Sequence, residues 1–346
     1  MGYSEMIQNV HGNFFTNCKF NAMTDVPKPE TGLSTNGFQS APWCVNGHVH
    51  TILCSLFFQA PHIRAEEVRI DTPDGDFLDL DVTEMNQTSP VAILFHGLEG
   101  HARRYYIKRL TEHLLERNFS VVAVNFRSCS GTMNRKKRSY HSGETEDLHT
   151  VFGWVEQHFP NAEYYASAGF SLGASALLNY LNKHGSNHLL DRAAAISTPF
   201  ELKKGSLNLD KGFNKLYSKS FLSTLEKKLK IKQKMFPDMP EFTGNTLYEF
   251  DDKVTAPIHG FESADHYYES CSSAFFMDEI KTKSLIVHSQ DDPLCPFEWT
   301  PLNDIQKNSV LTSSYPKEGG HVGFWSIPSG WINRTIGDYF TLPPHS

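Results

Sequence analysis

Cysteine is sparse and unpatterned in this chain. Six thiols are spread over 346 residues (Cys18, Cys44, Cys54, Cys129, Cys271, Cys295), none in a C-x-x-C spacing. That excludes a small disulfide-stapled fold and the commonest zinc and redox motifs. No stretch approaches the ~18 consecutive apolar residues of a membrane-spanning helix. The start of the chain has no basic segment followed by an apolar one, and Gly2 is followed by Met6 where a myristoylation signal needs Ser or Thr. Positive charge is also short: 32 Lys and Arg stand against 39 Asp and Glu, a net charge of -7. With no basic stripe carrying interleaved aromatics, a nucleic-acid partner is not expected. There are no internal repeats and no low-complexity tracts. The expectation is a soluble cytoplasmic protein with free thiols.

What is present can build a large core, with 39% hydrophobic and 12% aromatic residues. Length alone leaves open one α/β domain with an insertion or two domains. The longest basic stretches are Arg135–Arg138 and the region from Lys203 to Lys234. The second has helical apolar spacing and reads first as a solvated face, with attraction to anionic lipid headgroups as the alternative.

Residues 1–40 are polar and dotted with Gly, Asn and Pro, which predicts irregular structure. A short helix is expected over His50–Phe58. Alternating segments Glu66–Asp71 and Phe77–Thr83 flank Pro73-Asp74-Gly75, a hairpin signal. Val91–Phe95 is a continuous apolar run of the kind a buried parallel strand needs. An amphipathic helix from Tyr105 to Arg117, a strand over Ser120–Phe126, a helix from Glu144 to His158 and a strand over Arg192–Ser197 follow. Strands alternating with helices at this spacing predict βαβ units in a mostly parallel sheet. Helical periodicity then fills residues 200–257. The alternation resumes with a strand at Ser284–Ser289, a helix at Phe297–Gln306, a strand at Val310–Ser314 and a helix after Gly330. The domain reading is a core of residues 41–198 and 266–346, with residues 199–265 inserted as a helical cap.

Gly169-Phe170-Ser171-Leu172-Gly173 lies between a predicted strand and a predicted helix, matching the G-x-S-x-G nucleophile elbow. A chain of this composition supplies such a match by chance about one time in ten, so the elbow needs partners. They occur in the order an α/β hydrolase requires. Gln290-Asp291-Asp292-Pro293-Leu294-Cys295-Pro296 follows one strand, and Gly319-Gly320-His321-Val322-Gly323 follows the next. Ser171 is then the nucleophile, His321 the group that takes and returns its proton, and Asp292 the acid that orients His321. Asp291 is the neighbour that could take the acid's place. Leu98 and Leu172 would offer backbone N–H groups as an oxyanion hole. Gly97, Gly169 and Gly173 would shape those turns, and His96 would support the oxyanion loop. His48 and His50 form an H-x-H pair with no carboxylates around it, which reads as packing or capping rather than a metal site. No cofactor and no metal is expected.

The chain resembles the α/β-hydrolase subfamily that includes bacterial YheT-type hydrolases, mammalian α/β-hydrolase-domain esterases and phospholipases, and fungal medium-chain alcohol acyltransferases. The matching segments are Pro42–His48 with Thr51-Ile52, His96–Gly100, Val124–Ser128, Gly169–Gly173, Thr255–Phe261 with Tyr267-Tyr268, Asp291–Pro293 and Gly319–Phe324. They span roughly residues 41–340. The string from Thr255 to Tyr268 is more telling than the elbow, which unrelated α/β hydrolases share. The resemblance implies a capped serine carboxylic-ester hydrolase acting on short- to medium-chain acyl esters or lipids, with Ser171, Asp292 and His321 as its triad. Many eukaryotic relatives carry an N-terminal membrane anchor. None is read here, so membrane residence is not expected. Some relatives carry an H-x-x-x-x-D acyltransferase motif. Here His141 is followed by Glu146 and then Asp147, one place late, which weakens acyl transfer to an alcohol as an alternative.

Overall fold

The computed structural model describes residues 37–342, and within them the hairpin around Pro73-Asp74-Gly75 forms with the expected bounds, as β1 (Glu66–Asp71) and β2 (Phe77–Thr83). It extends a sheet made from β3 (Val91–Phe95), β4 (Ser120–Asn125), β5 (Tyr165–Phe170), β6 (Arg192–Ile196), β7 (Lys283–Val287) and β8 (Leu311–Ser314). The strand order is β1-β2-β4-β3-β5-β6-β7-β8. The β1–β2 and β2–β4 pairs are antiparallel and the other five are parallel. This is the α/β-hydrolase architecture read from the sequence.

The central strands are apolar throughout because both faces of the sheet are covered. Val91, Ile93 and Phe95 of β3 belong to one core with Leu148, Val151 and Phe152 of α3 (Glu146–His158) and Leu177 and Leu181 of α4 (Leu172–His184). Ala92 and Leu94 point the other way, into a second core with Ile107 and Leu110 of α2 (Tyr105–Leu115) and Ile336 and Phe340 of α11 (Trp331–Phe340). This alternation with a period of two is the strand geometry expressed on two covered faces.

Most ends fall within two residues of expectation, and two elements depart further. The first helix, α1 (Gly47–Phe57), starts three residues early because the Asn46 side chain accepts the Val49 N–H at 3.0 Å and caps it. The segment expected as one helix over Phe297–Gln306 splits into a 3-10 turn, Phe297–Trp299, and α10 (Leu302–Lys307). Pro301 between them cannot donate an N–H and disfavours helix at Thr300.

Between β6 and β7 the chain forms α5 (Leu202–Leu209), α6 (Lys215–Met235), α7 (Leu247–Phe250), α8 (Ala256–His259) and α9 (Ala264–Cys271). A π turn, Asp251–Thr255, joins α7 to α8. α5 to α8 share a small apolar cluster of their own, centred on Leu222, Leu229, Leu247 and Phe250, and α9 packs in a second one with Leu202. The last of them, α9, is capped by Ser263 and runs through residues 265 and 266, where a boundary was expected. The loops that leave the C-terminal ends of β3, β5, β7 and β8 gather on one side of the sheet, where open α/β sheets hold their ligands.

Candidate active site

Ser171 joins β5 to α4 with φ 52° and ψ -118°, a conformation that costs a non-glycine residue about 1–3 kcal/mol. Its neighbours explain how the turn closes. A Cβ on Gly169 would run into the Gly173 carbonyl, and one on Gly173 would lie 2.5 Å from the His96 carbonyl oxygen. Both positions therefore need glycine by close approach. The turn is pinned by the Ser171 N–H to the Ile196 oxygen (2.8 Å) and by two N–H groups, of Ala174 and Ser175, to the Ser171 oxygen.

Hydrogen bonding distinguishes the two aspartates of the loop after β7. Asp292 is 4% exposed, and its Oδ1 accepts the Leu294 and Cys295 N–H groups at 2.9 Å each, so Asp-Pro-x-x-Pro folds back on its own carboxylate. Its Oδ2 lies 2.8 Å from His321 Nδ1, and His321 Nε2 lies 2.9 Å from Ser171 Oγ. Burial pushes the Asp292 carboxyl up, but His321 outweighs it and holds the group below the usual carboxylate range. Asp291 faces elsewhere. Its Oδ1 accepts the Gly320 N–H at 2.8 Å, and burial raises its carboxyl to about 6. The geometry thus brings Ser171, His321 and Asp292 together and leaves Asp291 as a brace for the histidine loop.

The loop after β3 is held from all sides. His96 is fully buried, with Nδ1 donating to the Gly97 carbonyl at 2.7 Å and Nε2 accepting the Phe126 N–H at 3.2 Å. Those bonds fit a neutral ring, and burial lowers its pKa to about 3. The Gly97 N–H donates to the Tyr106 hydroxyl at 3.1 Å, and a Cβ on Gly97 would sit 3.2 Å from the Ser171 Cβ. Glu99 has φ 54°; its N–H donates to the Tyr140 hydroxyl at 2.8 Å, and that hydroxyl donates to the Glu99 carboxylate at 2.9 Å. Lys228 of α6 completes the clamp at 2.7 Å from the same carboxylate oxygen. Leu98, between these fixed points, and Leu172 both border the cleft above Ser171. Among the described residues, neither of their N–H groups has an acceptor.

Several supports carry no motif that sequence reasoning recognised as functional. Thr51 of α1 accepts the His321 N–H at 2.9 Å and donates to the Gly47 carbonyl at 2.7 Å. A Cβ on Gly47 would collide with the Asp291 carbonyl. The segment Pro42–Thr51 is therefore the bracket under the acid and histidine loops, and only the glycine and threonine inside it hinted at close packing. His50 is buried with Nε2 2.9 Å from Ser40 Oγ, and His48 Nδ1 is 3.2 Å from the Tyr217 hydroxyl, so both pack as expected. His288, also missed, is buried beside Asp292 with Nε2 2.7 Å from the Cys295 carbonyl. The Val124–Ser128 string supplies Arg127, 1% exposed, which bonds Asp147 through two nitrogens at 2.6 and 2.8 Å and also reaches Asp74 and Asp76. Asp147 is thereby taken up, and His141 instead meets the ring of His259. The two do not form an H-x-x-x-x-D unit. The Thr255–Tyr268 string docks the helical segment: His259 Nε2 accepts the Ser139 N–H, and the Tyr267 hydroxyl accepts the Ser142 N–H.

Above Ser171 and His321 opens a cleft with about 1250 Å³ of empty space, its mouth included. One wall is apolar, from Leu202, Phe221, Leu225, Leu229, Leu247 and Phe250. α6 also sends Lys228 and Lys232 to the lining, which includes Tyr140 and Lys137. No helix of the described residues is long and apolar enough to cross a membrane. The five cysteines among the described residues, all but Cys18, are free and buried.

The family model for the alpha/beta hydrolase fold matches residues 90–326. YheT of Escherichia coli, a protein named as an esterase, is 34% identical over 309 residues, covering 86% of this chain and 90% of that one. The human phospholipase ABHD3 is 28% identical, covering 87% and 78%. The monoacylglycerol lipase of Saccharomyces cerevisiae is 28% identical, covering 75% and 59%. Among solved structures, an esterase of Pyrococcus furiosus shares the fold with a TM-score of 0.54 at 18% identity, over 80% of this chain and 91% of that one. With the sheet order, the strand-end loops and these matches together, the chain belongs to the α/β-hydrolase family, in its YheT-like branch.

Proposed function

We propose that this ester hydrolase is a serine carboxylesterase that works through an acyl-enzyme on Ser171. The observation that carries the reading is the unbroken path from Asp292 Oδ2 through His321 to Ser171 Oγ, at 2.8 and 2.9 Å, ending on the floor of the cleft. Ser171 Oγ attacks the acyl carbonyl while His321 Nε2 takes its proton. The oxyanion forms against the Leu98 and Leu172 N–H groups. As the carbon–oxygen bond to the alcohol breaks, His321 returns the proton to the leaving oxygen. Water, deprotonated by the same nitrogen, then attacks the acyl-serine, and the acid leaves with Ser171 restored. Asp292 holds the tautomer of His321 with Nδ1–H toward the carboxylate and stabilises the imidazolium between the two transfers.

The helices between β6 and β7 act as a cap whose apolar side takes the acyl chain. The apolar side chains of α5, α6 and α7 on that wall support a short- to medium-chain acyl ester or lipid as substrate. The esterase, phospholipase and monoacylglycerol lipase among the relatives point the same way. Transfer to an alcohol gains nothing from His141 and Asp147, since Asp147 is bound to Arg127. Ser171→Ala is expected to lower kcat on p-nitrophenyl butyrate by at least about 10³-fold, with the fold retained by circular dichroism. A variant as fast as the parent sinks the mechanism. A rate series from acetyl to palmitoyl esters then reads the depth of the acyl side.

A further inference from the structure

α6 is the longest helix among the described residues, 21 residues with seven lysines and one glutamate, in a chain whose net charge is -7. Its two faces differ sharply. The inner one sends Phe221, Leu225 and Leu229 to the cleft, and Lys228 and Lys232 to fixed partners: the Glu99 carboxylate for the first, the carbonyls of Asn134 and Lys136 for the second. The outer face carries the other five lysines, Lys215, Lys219, Lys227, Lys230 and Lys234, all exposed. Lys228 is the only lysine of α6 with a carboxylate partner among the described residues. The one acid of the helix, Glu226, is half-buried at the edge of that face.

Charge alone describes a solvated helix. This face also exposes large apolar side chains among the lysines: Leu216 at 42%, Ile231 at 45% and Met235 at 44%. At 100° per residue Leu216, Lys227, Lys234 and Ile231 fall within about 60° of one another, so cationic and apolar groups share one arc instead of opposite sides. Just before the helix Phe213, 36% exposed, rests on His48 at 4.7 Å between ring centroids. Cations beside apolar side chains on one exposed helical arc match a surface that is anionic outside and apolar a few ångströms in.

We propose that the outer face of α6 docks the enzyme on an anionic lipid surface, with the lysines at the headgroups and Leu216, Ile231 and Met235 inserted between them. Because the opposite face of the same helix lines the cleft, docking sets the cleft wall against the layer from which an acyl lipid enters. The inference goes beyond the esterase reading and is tested without turnover.

Purified protein is sedimented with phosphatidylcholine vesicles with and without about one-third phosphatidylglycerol. It should bind the anionic vesicles, release with added salt, and ignore the zwitterionic ones. A lysine near an anionic leaflet is worth about fivefold in partitioning, so the triple variant Lys227→Gln, Lys230→Gln, Lys234→Gln should bind about 100-fold more weakly. Ile231→Asp should also weaken binding while the salt dependence persists. None of these residues lines the cleft, so all variants should hydrolyse a water-soluble butyrate ester at the parent rate, which doubles as the check on folding. Equal binding to both vesicle types, or a triple variant that binds like the parent, overturns the docking face. Loss of butyrate hydrolysis in Ser171→Ala with vesicle binding intact leaves it standing, whatever becomes of the mechanism.

Discussion

Both carboxylate oxygens of Asp292 have assigned partners, whereas across the cleft the side chains of α6 offer apolar surface that many packings could satisfy. The loops behind Ser171 are specified by hydrogen bonds at fixed distances: two N–H groups on Asp292 Oδ1, one ring on its Oδ2, two bonds on His96 and a hydroxyl on Gly97. The wall in front is specified by shape. Phe221, Leu225 and Leu229 line the cleft with no directional bond to keep each in place. Directional contacts tolerate little displacement and apolar ones a good deal more, so the chemistry is rigidly encoded and the choice of acyl chain loosely. Substrate range should therefore drift through the helical segment without loss of the catalytic path.

The largest effect expected from breaking this comparison comes from the paired acids. Asp292→Asn should lower kcat by about 10⁴-fold, because the amide forces the wrong tautomer on His321. Asp291→Asn, which can keep its bond to the Gly320 N–H, should stay within about tenfold of the parent. Steady-state rates on one soluble ester decide it, and the reverse ranking would move the acid to Asp291. Next is Gly47→Ala, which pushes a methyl group into the Asp291 carbonyl. It should cost about 1–3 kcal/mol in urea unfolding and lower kcat more than it raises KM.

A titration tests the same rigid side. Folded His96 stays neutral to about pH 3, while its unfolded imidazole takes a proton near 6.5. Between those values the unfolded state binds more protons, so stability falls as pH drops, by up to about 1.4 kcal/mol per unit. His50, lowered to about 4 by burial, adds to the slope. In His96→Gln the loss of unfolding free energy from pH 6.5 to 5 should be shallower by up to one proton. An unchanged slope would mean that His96 is charged in the folded state. The smallest effect belongs to the apolar wall. Leu225→Phe should change the octanoate-to-acetate rate ratio about tenfold while leaving acetate hydrolysis within a few-fold. A fall in both together would show that the wall is as exacting as the loops.

How much of this was legible in the sequence follows the same division. Ser171, Asp292 and His321 stood out as candidates because each lies in a loop that follows a strand, and local chemistry marks those loops: glycines that allow close approach, an aspartate folding onto the N–H groups two and three residues on. The Asp-Pro-x-x-Pro turn favours Asp292 and leaves Asp291 as an alternative, since the sequence does not show which carboxylate faces His321. Thr51 was unreadable as a support because its partner lies 270 residues away. The link from Lys228 to Glu99 was hidden in the same way, as one lysine among seven on a helix. Arg127 stood in a quoted string, yet nothing near it announced that three aspartates, two of them from the far end of the first hairpin, would converge on it. Strand positions held to within two residues, the central ones because they rest on runs of apolar residues. The ends of α1 and α10 moved because Asn46 and Pro301 act on single backbone groups.

The bond from His321 to Thr51 has a consequence for the order in which this protein comes into being. Thr51 is made before the first described strand of the sheet and His321 after the eighth. A chain released short of that point could assemble most of its sheet and still have no general base held for Ser171. Hydrolysis thus reports that α1 and the loop after β8 have met.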